Sequence, residues 1–165
     1  MSVQLRLRDP IAAQKRKVQA IERIGVGRVC SKCGEDRPEA LIPNSEPMIC
    51  ARCQRIQKRQ STTDDHHVAG KANDKMTIPV DVNDHRAALS AAQHDWERGL
   101  LQNPDGCPLK AGAARIRGRQ DTINYVISLD DSVVELLMEL SKFLEDLLGP
   151  EWWKGTPIER FSPKQ

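Results

Sequence analysis

Two C-x-x-C pairs, Cys30-Ser31-Lys32-Cys33 and Cys50-Ala51-Arg52-Cys53, lie sixteen residues apart. They constrain the fold more than any other feature of the chain. Each pair turns two thiols toward one point, and two such turns close a tetrahedron of sulfur around a Zn²⁺ ion. A disulfide framework suits a secreted chain, and a redox C-x-x-C needs a single pair on a βαβ scaffold; neither context is visible. Arg28, Lys32 and Arg52 offset the charge of four thiolates. Composition makes the same demand. Only six residues are aromatic and the mean hydropathy is -0.55, so the apolar core is expected to be modest, a shortage that small chains often meet with a metal. Cys107, in Pro104-Asp105-Gly106-Cys107-Pro108, reads as a loop thiol.

The length, 165 residues, suits one domain or a small domain with appendages. A net charge of +2 conceals an asymmetry. Residues 1–60 hold thirteen Lys/Arg against six Asp/Glu, and residues 61–165 hold twelve against seventeen, so the halves carry +7 and −5. The front half is therefore suited to phosphates. Arg6, Arg8 and Asp9 interrupt any early apolar run, and no stretch approaches a membrane span. With paired rather than scattered cysteines, a reducing, cytoplasmic setting is expected.

Asp9-Pro10 predicts a helix start, with the helix running to about Ile24 before Gly25 and Gly27. Pro38 to Pro47 reads as a loop or hairpin, and Arg52 to Gln60 as a short basic helix. Met76 to Val82 alternates like a strand, followed by a helix from His85 to about Leu101 capped by Asn83 or Asp84. Lys110 to Leu129 predicts another helix. Asp130-Asp131-Ser132 with Glu135 predicts a capping box for a separate last helix ending at Gly149-Pro150. Val133, Leu136, Leu137, Leu140, Leu144 and Leu147 then form one apolar stripe, which reads as core, a dimer seam or a surface for a protein partner. The expected segments are a basic N-terminal helix at 1–29, a metal-stapled domain at 30–103 and a helical C-terminal extension at 104–165.

Three of the four histidines fall in the polar stretch Asp65-His66-His67-Val68-Ala69-Gly70-Lys71-Ala72-Asn73 and in Asn83-Asp84-His85. Imidazoles so concentrated point to metal and proton chemistry. Together with the knuckles, this segment resembles the HNH, or His-Me finger, endonucleases over about Cys30 to Ser90. The resemblance implies an α+β fold: a small zinc-ribbon and ββα-metal domain, with helical extensions on both sides. It implies metal-dependent hydrolysis of phosphodiester bonds in DNA, with His67 as general base, Asn73 fixing the loop that orients it (Asn83 being the competitor), and His66 and His85 holding Mg²⁺ or another divalent ion. Asp65 is the alternative ligand if the register slips by one. Cys30, Cys33, Cys50 and Cys53 would hold structural Zn²⁺. Where many members carry a second C-x-x-C before the last His, this chain has Asp81 and Asp84.

Such chemistry requires a base for the attacking water and a cation for charge on the leaving oxygen. Arg52, Arg55, Lys58, Arg59, Arg115 and Arg117 are the expected phosphate contacts. His94, nine residues beyond His85, is expected to point elsewhere on the helix. Two other readings remain open: a non-catalytic zinc-ribbon module that binds nucleic acid, and a protein-interaction module working through its acidic, apolar tail.

Overall fold

The computed structural model describes residues 10–162 of the chain. Asp9, the expected cap of the first helix, lies outside them. Helix α1 (Pro10–Ile24) contains no internal glycine or proline. It ends where Gly25, at φ +99, lets its N–H reach back 2.7 Å to the Ile21 carbonyl. The left-handed backbone there is open to glycine and strained for most other residues.

The segment between the knuckles closes on itself. Ile42 N–H donates to the Ile49 carbonyl at 2.9 Å, and Leu41 bridges Cys50. Cys50 then caps helix α2 (Ala51–Gln57), its sulfur accepting from the N–H of Cys53. Cys30, Cys50 and Cys53 form one apolar cluster with Leu41 and Ile24, so three of the four sulfurs are themselves part of the core.

Strands β1 (Thr63–His67) and β2 (Thr77–Asp81) form a two-stranded antiparallel hairpin with His66 opposite Ile78 and Asp64 opposite Val80. Alternation sets its faces. Asp64, His66 and Val80 turn inward, and Thr63, Asp65 and Pro79 stay exposed. The chain passes directly from β2 into a helix. It runs through α3 (Val82–Asp84), a π-helical turn (His85–Leu89) and α4 (Ser90–His94). The cap is Asp81, whose carboxylate accepts from Asn83 N–H at 2.9 Å, in place of the expected Asn83 or Asp84. The helix also stops short of Leu101. Trp96 turns into the core and donates 2.9 Å to buried Asp121, and a separate helix α5 (Arg98–Gln102) follows. The architecture is mixed α and β, mostly helical around one small sheet.

From Pro108 to Leu148 there is one helix, α6, where two had been expected. Asp130-Asp131-Ser132 caps nothing. Ser132 Oγ bonds back to the Ser128 carbonyl at 3.0 Å, and neither glycine nor proline interrupts the chain between Gly118 and Gly149. A capping box starts a helix only where something has first ended the preceding one. A 3₁₀ turn (Pro157–Phe161) follows. The chain divides into two compact units, Met1–Tyr125 and Val126–Gln165.

Within the first unit, α6 passes directly against the end of β1. A Cβ at Gly118 would lie 1.8 Å from the Val68 carbonyl oxygen, so the backbones meet with no room for a side chain. Ala114, beside it, joins Ala69 and Trp96 in a second core cluster. Gly118→Ala is therefore expected to cost about 1–3 kcal/mol through overpacking. Gly112→Ala, in open space on the same helix, is expected to add about 1 kcal/mol through helix propensity. Urea denaturation of the two variants should move in opposite directions.

Candidate functional site

The first grouping is the four cysteines. Among the described residues, Cys30, Cys33, Cys50 and Cys53 make up the one set of three or more His, Cys, Asp or Glu whose ligand atoms all lie within 4.8 Å of one another. Cys33 and Cys50 sulfurs are 3.6 Å apart. A tetrahedron with Zn–S bonds of about 2.3 Å has sulfur–sulfur edges of about 3.8 Å, so the set has the size a zinc ion takes. Three of the four are buried and none is in a disulfide. Burial raises the Cys30 thiol, but the N–H groups of Lys32, Cys50 and Cys33 outweigh it and bring the thiol down to about 6. Burial and the neighbouring sulfurs push Cys53 far up instead. One thiolate forms readily and then opposes the next, which is the electrostatics of a site made for a cation. The cluster could hold a structural metal such as zinc.

The second grouping is the histidines. The hairpin and the helix after it bring the rings of His66 and His85, nineteen residues apart in the sequence, to 5.2 Å between centroids, edge to face. His66 is almost wholly buried. Burial, and then the nearby His85 and His67, lower its pKa to about 4 against a weaker opposing pull from Asp121, so its ring stays neutral. His85 Nδ1 lies 3.2 Å from Asp64 Oδ2, and Ser90 Oγ lies 3.1 Å from His85 Nε2. The π-helical turn inserts one extra residue between His85 and Ser90, whose N–H bonds to the His85 carbonyl. Such turns recur at functional sites.

His67 follows His66 as the last residue of β1. Its Nδ1 is buried without a hydrogen-bond partner. The backbone around it is held firmly. Gln93 Nε2 donates to the carbonyls of His67 at 2.6 Å and Val68 at 3.2 Å, and sits 3.3 Å from His66 Nε2. Asn73 is buried in the loop that follows, donating to the carbonyls of Ala69, Leu100 and Leu101 at 2.9–3.2 Å. It thus fixes the loop to α5, and its Oδ1 is left without a partner. Gly70, at φ +78, completes the turn where a Cβ would meet Leu101.

Asn83, the competing asparagine, has a different position. Its Oδ1 accepts from Arg52 N–H at 3.0 Å and its Nδ2 donates to Glu35 at 3.0 Å, stitching both knuckles to the start of α3. Glu35 also binds Arg37, and Arg37 reaches Asp84 at 2.8 Å, to which Tyr125 donates at 2.8 Å. Asp65 is exposed on the outer face of β1, away from the His66–His85 contact. Asp64 and Gln93 were not singled out in the sequence. The signal for Asp64 was available, since a residue two before His66 on a strand must share its face.

Several expected phosphate contacts are engaged within the protein. Arg55 pairs with Asp64 at 2.7 Å, Arg115 with Asp74 at 2.6 Å, and Arg52 lies 3.6 Å from Asp81. Burial would raise the Asp64 carboxyl, yet Arg55 and His85 hold it below the usual carboxylate range. Lys58 and Arg59 are exposed, and Arg117 is partly buried. On another side, α1 and the π-helical turn enclose a cavity of about 670 Å³. Lys15, Arg16, Arg23 and Arg86 line it, with His94 and with the same Ser90 that touches His85. Arg16 is paired there with Asp95.

No family model, no curated protein and no solved structure matches this chain.

The neutrality of His66 has a consequence for stability. Its folded pKa of about 4 lies below the unfolded value of 6.5, so between these limits the unfolded chain binds a proton that the folded chain does not. Stability is full above 6.5 and falls as pH drops toward 4, by up to about 1.4 kcal/mol per pH unit. In His66→Gln, the denaturation midpoint should fall less steeply between pH 6.5 and 5 than in the parent. Equal slopes would assign the acid loss to other groups.

Proposed function

We propose that this chain is a metal-dependent endonuclease of the HNH type that hydrolyses phosphodiester bonds in DNA, with a structural Zn²⁺ on Cys30, Cys33, Cys50 and Cys53. The observation that carries the reading is the convergence of His66 and His85 on a hairpin-then-helix frame whose first strand ends in His67. Two imidazoles, one of them kept neutral, and the Asp64 carboxylate form a mixed N/O donor set beside one another. A divalent ion bound there would supply positive charge to the scissile phosphate and the leaving O3′.

The other roles fall to the chain itself. Because Nδ1 of His67 is sheltered, Nε2 is the nitrogen that takes the proton as a water oxygen bonds to phosphorus and the P–O3′ bond breaks. Gln93 and Asn73 hold the strand end and the loop so that this ring keeps its place. Arg55 orients Asp64, and Asp64 orients His85. The DNA backbone is followed by cations not already engaged in folding, Lys15, Arg23 and Arg86 of the α1 cavity together with Lys58 and Arg59. No helix among the described residues is long and apolar enough to cross a membrane. Five free thiols fit a reducing compartment such as the cytoplasm.

Plasmid cleavage by the full chain tests the reading. Zinc-loaded protein with Mg²⁺ should cut, EDTA should stop it, and His67→Ala should lower the rate by about 10²-fold or more while still binding DNA. Undiminished cutting by that variant, or cutting indifferent to chelator, would remove the mechanism. Separately, the purified chain should contain one zinc per molecule by elemental analysis. Cys50→Ser should lose that zinc together with the cooperative melt, because the sulfurs lie in the core.

One observation favours a second reading, a non-catalytic zinc module that binds nucleic acid. The histidines and Asp64 do not bring three donor atoms within 4.8 Å of one another as the cysteines do. That reading expects salt-sensitive DNA binding with no metal-dependent hydrolysis in the same assay.

A further inference from the structure

The second compact unit, Val126–Gln165, consists largely of the last twenty-three residues of α6, and its apolar side chains lie in the open. Seven of them follow one pattern, with Ile127, Val134, Met138 and Leu148 lying off it. Val126, Val133, Leu140 and Leu147 recur every seven residues. Leu129, Leu136 and Phe143 recur three residues after the first three of them. This is the a/d pattern of a coiled-coil seam, sustained from 126 to 147 without a polar interruption. All seven are 43–65 % exposed, and Leu137 beside them is 58 % exposed. A contiguous apolar strip of this length on a soluble surface marks an interface.

Charge indicates what covers it. Residues 126–148 hold six acidic side chains, Asp130, Asp131, Glu135, Glu139, Glu145 and Asp146, with one base, Lys142. Taking Val126 as position a, Asp131 and Glu145 fall at f, Glu135 and Lys142 at c, and Glu139 and Asp146 at g. Asp130 at e, with Glu139 and Asp146 at g, borders the strip. When two copies align in parallel, each g residue faces the next e residue of the other helix. Glu139 then meets Leu144 and Ser132 meets Leu137, so no acid on this stretch is forced against another acid. A β-branched residue at a with leucine at d, as in the first two heptads, favours two parallel strands.

We infer that a second copy of this chain covers the strip, residues 126–148 pairing in register with their counterpart in a parallel two-stranded coiled coil. The seam is argued apart from the nuclease reading, from the heptad spacing and exposure of its own residues.

Sedimentation equilibrium of the full chain tests it. The mass should approach twice 18.5 kDa at micromolar concentration. A double variant, Leu136→Asp with Leu140→Asp, should give the single-chain mass with zinc content unchanged, while Glu135→Gln, off the seam, should leave the dimer. A second measurement does not depend on disrupting anything. Val126→Cys in a Cys107→Ser background should form a disulfide-linked dimer under mild oxidation, because position 126 meets itself only when the helices run parallel and in register. A wild-type chain that stays monomeric at its highest soluble concentration would overturn the inference, as would a dimer indifferent to the aspartates. A dimer that fails to cross-link at 126 would overturn the parallel alignment.

Discussion

Four sulfurs within 4.8 Å of one another cannot all be thiolates unless positive charge lies among them. The N–H groups around Cys30 stabilise one negative charge; the next sulfur meets that charge at close range, and Cys53 is driven strongly toward its protonated form. A divalent cation removes the conflict. The consequence extends beyond the knuckles. Three of their sulfurs pack with Ile24 and Leu41 in the core, Arg52 N–H binds Asn83, and Glu35 binds the same asparagine from the other knuckle. The start of α3, and with it His85, is therefore positioned by whatever holds the cysteines together.

A second line of contact reaches the histidines from the same source. Arg55 stands one residue beyond Cys53 and Gln54 on α2, and its guanidinium fixes Asp64, which in turn faces His85 Nδ1. In the proposed enzyme this makes Arg55 a positioning residue, with no contact to the reacting phosphate required of it. It also explains why the most basic helix is a poor phosphate contact. Its central arginine is spent on folding, and the cations of the α1 cavity are closer to the role.

Legibility in the sequence followed the range of the interaction. The cysteine cluster could be read because C-x-x-C spacing alone turns two sulfurs together, and β2 because Thr77 to Asp81 alternates on its own. The resemblance placed the His pair on a strand that polar β1 does not announce. The contacts of Asn83, Gln93 and Asp121 could not be read, since their partners lie twenty-five or more residues away and local pattern carries no trace of them. The single α6 was misjudged for a different reason. Asp-Asp-Ser followed by Glu is a valid start signal, but nothing before it stops the helix, and an uninterrupted helix absorbs such residues on its solvent face. The π-helical turn also has no local signature; it becomes visible only where His85 and Ser90 share a hydrogen bond.

The two aspartates at positions 81 and 84 bring these strands together. Asp81 caps the helix, and Asp84 takes Arg37 on one oxygen and Tyr125 on the other. An ion pair with one partner partly exposed is individually weak. This one, however, belongs to a chain running Tyr125, Asp84, Arg37, Glu35, Asn83 and on to Arg52. Each interior member is held by two others, so ordering one lowers the entropy lost by the next. The helix that carries His85 is thus anchored to α6 on one side and to both knuckles on the other through hydrogen bonds and ion pairs.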